Sequence, residues 1–186
     1  MTFSKTGFTA LILFTLFSCG NSESPQSTDR KSSLNYFDIR GYMEAEIKKL
    51  AQEPSFNKSV YVNGEKETKR LESIDLENEL TPFIDSDINK PAWAGKYDVD
   101  STFNQAHQLI GLHYQSKDRK LKTKSIAIDF EGTDVSKIFI VNAVNSSVAN
   151  TYQTLTYQPQ KGFSIESKQD VSLMAKNHFK IEVAFQ

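Results

Sequence analysis

Apolar side chains recur every three or four positions between residues 36 and 50, and this spacing predicts an amphipathic helix. The apolar positions are Tyr36, Ile39, Met43, Ile47 and Leu50. Ser33 or Asn35 can cap the start of this helix, and Pro54 ends it. A helix with one apolar face has to bury that face against another element, so we expect a sheet to lie next to it.

A hairpin and a second helix are predicted after the first helix. The residues on both sides of Asn63-Gly64 form strand-like runs, and this dipeptide favours a two-residue turn between strands over 56–62 and 66–74. The second of these strands has few apolar side chains, so we expect the hairpin to lie at an edge. Three apolar residues then fall on one face over 75–83, which predicts a short helix.

From residue 109 onward, short runs of apolar and polar residues are separated by turn residues, a pattern typical of strands. Short connections imply antiparallel pairing, because parallel neighbours need long crossovers. We also expect an irregular stretch over 85–95 and a single helical turn over 170–176. The predicted strands are 109–116, 121–130, 137–145, 151–158, 163–168 and 178–185.

These elements together predict a single globular domain of the α+β class over residues 34–186. Its core is an antiparallel β meander of about six to eight strands, a curved sheet that the N-terminal amphipathic helix covers. This arrangement resembles, over the same residues and at the level of the fold, the half-barrel of the LolA/LolB-type bacterial lipoprotein carriers. The resemblance implies a hydrophobic cavity between sheet and helix. Strand 137–145 is apolar on both faces, which favours burial on two sides or a lined cavity.

Length, charge and cysteine content narrow the class of protein. The chain has 186 residues, a length typical of one domain or at most two small ones. It carries 22 Lys and Arg against 23 Asp and Glu, so it lacks the basic excess that is usual in proteins that bind nucleic acid. Its single cysteine excludes an intramolecular disulfide and a structural zinc site built from cysteines.

The N-terminus has the pattern of a bacterial export signal. A lysine precedes an apolar run over 8–17, which is too short to cross a membrane, since a spanning helix needs about 20 residues. The run leads into Leu16-Phe17-Ser18-Cys19, and this sequence resembles the lipobox of bacterial lipoproteins. Phenylalanine at the second of these positions departs from the commoner small residue.

The lipobox resemblance implies how the mature chain is organised. Residues 1–18 are a signal peptide, Cys19 is the lipidated residue, and 19–33 form a flexible tether rich in serine. Two or three acyl chains anchor a protein stably, so the chain is expected at a membrane. Gly20 is not the Asp that retains lipoproteins in the inner membrane, which favours the outer membrane. The sequence Asp-Ile-Asn-Lys-Pro at 87–91 adds a resemblance to small outer-membrane lipoproteins of Bacteroidota, and the side of the membrane stays open.

One loop has part of the pattern of a calcium site. Asp85, Asp87 and Asn89 follow the D-x-D-x-N spacing, in which alternate residues direct oxygens at one ion. Lysines stand where an EF-hand has its turn glycine and its bidentate glutamate. We therefore interpret the loop as a helix exit with an Asx-rich turn. The alternative is an irregular calcium site that Asp98 and Asp100 complete.

The sequence contains no motif of a familiar catalytic chemistry. It has neither a G-x-S-x-G nucleophile elbow nor a glycine-rich phosphate loop. His107, His113 and His178 lack the spacing of metal-binding histidines, and we interpret them as ordinary strand residues. We therefore expect no catalytic residue and no cofactor.

Trp93, Tyr97 and Phe103 lie close together in the sequence, and they predict either a ligand or partner surface or an aromatic cap over the open end of the sheet. The sequence as a whole favours a non-enzymatic, membrane-anchored envelope lipoprotein that serves as a binding or accessory module for envelope proteins. One alternative is a carrier of lipid or lipoprotein with a cavity between sheet and helix. A second is a calcium-binding or metal-dependent protein that uses the loop of Asp85 and Asp87.

Overall fold

Nine antiparallel strands and two helices make up the part of the chain that the computed structural model describes, residues 36–172 and 176–186. The predicted signal peptide, Cys19 and the tether lie outside the described residues. The helices are α1 (Ile39–Leu50) and α2 (Leu76–Ile84), and a short 3-10 turn spans Pro91–Trp93. The strands are β1 (Phe56–Val62), β2 (Glu65–Leu71), β3 (Tyr97–Phe103), β4 (Leu109–Ser116), β5 (Thr123–Glu131), β6 (Asp134–Asn145), β7 (Ala149–Gln158), β8 (Gly162–Val171) and β9 (Asn177–Phe185).

The predicted α+β class is confirmed, but the predicted count of about six to eight strands is too low. The additional strand is β3, which the prediction omits although Tyr97, Asp98, Val99 and Asp100 alternate between apolar and polar residues. Only Tyr97 in this strand is buried. The helical turn predicted over 170–176 is also wrong where the structure describes it, because β8 continues to Val171. In both segments, backbone pairing with a neighbouring strand determines the extended conformation.

The strands follow the order β2-β1-β9-β8-β7-β6-β5-β4-β3 across one sheet. Strands β3 to β9 form a continuous meander, in which each strand pairs with the next one in the chain. The β1–β2 hairpin lies at the other end of the sheet, where β1 pairs with β9 and Phe56 lies opposite Phe185. The first strand of the domain therefore pairs with its last, and the segment that contains α2 connects the two ends of the sheet.

Helix α1 is capped by Asp38 and not by the predicted Ser33 or Asn35. The Oδ1 atom of Asp38 accepts a hydrogen bond from the backbone N–H of Gly41 over 2.9 Å. A Cβ atom at Gly41 would collide with the Asp38 carboxylate, so the glycine leaves room for the cap. The start of the helix is therefore determined by two residues that the apolar pattern does not contain.

Both helices pack against the same face of the sheet. The ring of Phe83 in α2 meets the rings of Tyr157 and Phe163 edge-on, with centroid distances of 6.1 and 6.3 Å. In α1, the ring of Tyr42 lies 6.3 Å from that of Tyr157, whose hydroxyl donates a hydrogen bond of 2.7 Å to Oε2 of Glu46. The prediction that the N-terminal helix covers the sheet does not match the structure, because α2 shares the cover. The fully buried apolar residues include Ile39, Met43, Leu80, Phe83, Ile88, Ile126, Ile128, Ile138, Ile140, Leu155 and Tyr157.

The face of the sheet opposite the helices is covered by no described helix, and we call it the open face. Strand β6 shows the division: Ile138 and Ile140 are fully buried toward the helices, whereas Phe139 and Val141 are half-buried on the open face. The second apolar set predicted in this strand thus lies on the open face. The side chains around it are mainly polar, among them Ser125, Thr154, Thr156, Ser164 and Glu182.

Both edge strands of the sheet carry charged side chains. Strand β2 has the sequence EKETKRL, and every residue of it except Leu71 is exposed. On β3, Asp98 and Asp100 are exposed on the open face. Charges on an edge discourage pairing with a strand of another chain, so the open face is better suited to binding than the edges are.

Gly162 begins β8 at a point where a side chain does not fit. Its φ is +146°, and a Cβ atom there would overlap the backbone oxygen of Val183 in β9. We expect Gly162→Ala to lower the free energy of unfolding by more than about 1 kcal/mol, because the paired strands must shift. Urea unfolding of the full chain measures this change. Gly132→Ala is the matched control, since its φ is also positive, +66°, but nothing lies within 4 Å of the added Cβ. Equal losses in the two variants would contradict the role of the clash.

Candidate functional site

Side chains from four neighbouring strands meet near one end of the open face. The register places Ala143 of β6 opposite Tyr152 of β7. Lys168 of β8 lies between Tyr152 and His178 of β9. These residues form a row across the sheet, because residues that are paired in register point to the same face. A second row, nearer the strand ends, consists of Asn145, Asn150 and Asp170.

A groove of about 470 Å³ lies between these two rows, and we call it the Tyr152 groove. Its volume is within the range that is usual for sites that hold a small molecule. Tyr152 is 48% exposed, and its neighbour Ala143 has a side chain too short to cover the ring. Lys176 lines the groove just before β9. Three further lining residues belong to the row on the opposite face of the sheet: Thr151, Gln169 and Asn177. The groove thus combines one accessible aromatic ring with amide and charged side chains.

The two lysines at the Tyr152 groove are each paired with a carboxylate. Oε1 of Glu166 lies 3.1 Å from Nζ of Lys168 and 2.8 Å from Nε2 of His178. The hydrogen bond from Lys168, followed by that from His178, holds the pKa of the Glu166 carboxyl below its ordinary value. On the other side of the groove, Nζ of Lys176 lies 3.1 Å from Oδ2 of Asp170. The groove therefore offers little net charge to a ligand.

A second polar network continues from the groove along the open face toward β1. Nζ of Lys180 lies 2.6 Å from Oε1 of Glu182, and the Tyr61 hydroxyl donates a hydrogen bond of 2.8 Å to Oε2 of the same residue. These two hydrogen bonds hold the pKa of the Glu182 carboxyl below its ordinary value, and the bond to Glu182 raises the pKa of Lys180. Lys180 also lies over the Tyr61 ring at 5.6 Å. This part of the open face is consequently an ordered polar surface.

The loop with the partial calcium pattern holds the start of α1. Asp87 accepts two backbone hydrogen bonds, at Oδ2 from Arg40 over 3.2 Å and at Oδ1 from Asn89 over 2.8 Å. Oδ1 of Asn89 accepts a hydrogen bond of 3.2 Å from the backbone N–H of Tyr36. Asp85 is the C-cap residue of α2. In the described part of the chain, no three His, Cys, Asp or Glu side chains form a group that could hold a metal ion. The oxygens of this loop thus serve backbone N–H groups, as an Asx-rich turn does.

The aromatic residues singled out in the sequence do not form one surface. Tyr97 is 3% exposed, and its hydroxyl donates a hydrogen bond of 2.8 Å to the carbonyl oxygen of Thr123. The Trp93 ring lies 6.4 Å from the Tyr97 ring, and Nζ of Lys90 lies over the Trp93 ring, 4.1 Å from its centroid. Phe103 is 56% exposed at the other end of β3, about 20 Å away along an extended strand. Trp93 and Tyr97 therefore border the core, while Phe103 stands apart from them.

Of the three histidines, His178 lines the Tyr152 groove. His107 lies between β3 and β4 with a φ of +56°, and His113 is exposed on β4. The sequence places His178 on the polar side of its strand, which agrees with the structure, but it does not reveal the groove. Alternation also assigns Lys168 and Tyr152 to polar faces. The predicted meander makes these strands neighbours, but the sequence does not give the register that aligns the three residues.

The chain was compared with protein-family models, curated proteins and solved structures. No protein-family model, curated protein or solved structure matches it. Among the described residues, no helix is long and apolar enough to cross a membrane. A function for the protein has to follow from the open face, its groove and the N-terminal sequence.

Proposed function

We propose that the protein is a non-enzymatic, lipid-anchored module of the bacterial outer membrane that binds an envelope partner through the open face. One observation carries this proposal: two helices cover one face of the nine-stranded sheet, while polar and aromatic side chains stand in paired rows on the other. Hydrogen bonds and ion pairs hold several of these side chains in place. A surface that is already ordered loses less entropy when it binds, so it favours a stable contact.

The N-terminal sequence supports the same proposal. Lipid on Cys19 would hold the module at the membrane, with residues 19–33 as the spacer between the lipid and the domain. Residues 1–18 would be removed during export. An anchored module and its partner lie at the same membrane, which raises their effective concentration. Even a weak complex between them is then populated.

A carrier of lipid or lipoprotein is the main alternative, and its cargo would need space between the sheet and the helices. In the described structure this layer is filled by side chains: Met43 of α1, Phe83 of α2 and Ile140 of β6 are all fully buried there. The filled layer favours the binding module over the carrier. A calcium-binding role has less support, because the Asp87 carboxylate already accepts backbone hydrogen bonds.

Site-specific photo-cross-linking in the native envelope tests the proposed function. A photoreactive amino acid replaces Gln115 or Thr154 on the open face, or Glu44 or Glu77, which are exposed on the helices. We expect adducts of defined mass from the two open-face positions and none from the helical positions, because the partner contacts the sheet. Adducts from the helical positions alone, or from none of the positions, would contradict the proposal.

A further inference from the structure

We propose that the Tyr152 groove binds a neutral sugar unit, a pyranose ring that is part of a glycan. This inference rests on the proposed function, because it names the chemistry that one part of the open face would recognise. The groove brings together an accessible aromatic ring, two amide side chains and a balance of charge. Each of these matches one property of a pyranose.

The aromatic ring is that of Tyr152. It is 48% exposed, and its cross-strand neighbours are Ala143 and Lys168. The short side chain of Ala143 leaves the ring accessible from that side. A pyranose has faces made of C–H groups, with its hydroxyls at the rim, so such a face packs against an aromatic ring without burying the hydroxyls.

Two amide side chains lie beside the position that a sugar would occupy on Tyr152. Asn145 and Asn150 lie opposite each other on β6 and β7, in the row next to Tyr152 on the same face of the sheet. An amide side chain offers two donors and one acceptor oxygen. A sugar hydroxyl is also both donor and acceptor, so a neighbouring amide can donate a hydrogen bond to it or accept one from it.

The ion pairs at the groove argue against an anionic ligand. Glu166 lies 3.1 Å from Lys168 and 2.8 Å from His178, and Asp170 lies 3.1 Å from Lys176. A phosphate or carboxylate ligand would have to displace these carboxylates or bind beside them, and like charges in proximity repel each other. A neutral polyol encounters no such repulsion. The ligand that the groove fits is therefore a sugar without a charged group.

Isothermal titration calorimetry on the full chain tests this inference, in micelles of a detergent without a sugar headgroup. The probes are cellobiose, maltose, lactose and di-N-acetylchitobiose, with glucose 6-phosphate as the charged comparison. We expect a neutral disaccharide to bind and Tyr152→Ala to raise its Kd by about tenfold, because the ring contact is lost. Tyr152→Phe keeps the ring, so its Kd should stay within about twofold of the original value. Phe103→Ala is the matched control, since it removes an exposed aromatic ring outside the groove.

Three results would overturn the inference. They are binding that Tyr152→Ala leaves unchanged, tighter binding of glucose 6-phosphate than of every neutral sugar, and no binding of any neutral disaccharide. Circular dichroism checks that the variants fold, which we expect because Tyr152 is half-exposed. The proposed function is tested separately by the cross-links at Gln115 and Thr154, which lie outside the groove, so the two can fail independently.

Discussion

Phe83→Ala is expected to lower the free energy of unfolding by about 3–5 kcal/mol. Phe83 is fully buried, and its ring packs edge-on against Tyr157 and Phe163 of the sheet. Its removal leaves a cavity where α2 meets the strands, and the rigid neighbours fill that cavity only in part. A loss of this size is a large fraction of the roughly 5–15 kcal/mol that stabilises a typical domain. Urea unfolding of the full chain, followed by circular dichroism, measures it.

Phe103→Ala provides the matched control for this prediction. Phe103 is 56% exposed at the end of β3, so its truncation is expected to change the free energy of unfolding by less than about 0.5 kcal/mol. Each variant loses one phenyl ring, and the two rings differ in that only the ring of Phe83 is buried. Similar losses at the two positions would mean that α2 does not stabilise the sheet through Phe83.

Cys19→Ser is expected to abolish attachment of the protein to lipid. The proposed anchor depends on the thiol of Cys19, and a serine hydroxyl does not replace it. Since each buried methylene contributes about 0.8 kcal/mol to membrane binding, loss of the acyl chains removes nearly all of the affinity. Growth with an alkyne-bearing fatty acid, followed by fluorescent labelling of the purified chain, reports the attachment directly.

Ser18→Ala is the control for the anchor. It changes the neighbouring residue but keeps a small side chain before the cysteine, so labelling with the fatty acid is expected to persist. Mass spectrometry of the labelled protein should also show that residues 1–18 are absent. Label that persists in the Cys19→Ser variant would contradict the proposed lipidation, whatever the location of the protein.

The sequence predicts those elements whose side chains are divided between a buried and an exposed side. In β9, for example, Val183 and Phe185 are buried and Lys180 lies on the open face, as the alternation indicates. The same pattern includes Phe179, which is 38% exposed, because alternation gives the face of a residue but not how far the helices extend over it. β3 shows a different case: its sequence alternates from Tyr97 to Asp100, but only Tyr97 is buried, so its place in the sheet depends mainly on backbone pairing with β4.

The candidate site is harder to predict than the fold, because it depends on register between strands. Tyr152, Lys168 and His178 are each unremarkable polar-face residues, and they become neighbours only through the pairing of β7, β8 and β9. For the loop of Asp87, the sequence favours an Asx-rich turn over a cation site, and in the structure the Asp87 oxygens accept backbone hydrogen bonds. The sequence does not reveal that one donor is the backbone of Arg40, which is distant in sequence and close only in the fold. Local patterns do not contain contacts of this kind.

The pairing of β1 with β9 bears on when the protein is able to fold. The β1–β2 hairpin has no neighbour in the sheet until β9 exists, and a lone hairpin is at best marginally stable in water. Contacts between distant parts of a chain also slow folding, because a large loop must close before they form. A secreted precursor has to stay unfolded until it has crossed the membrane. In the export that we propose, the pairing of β1 with β9 would delay completion of the sheet until the C-terminal strand has been translated and translocated.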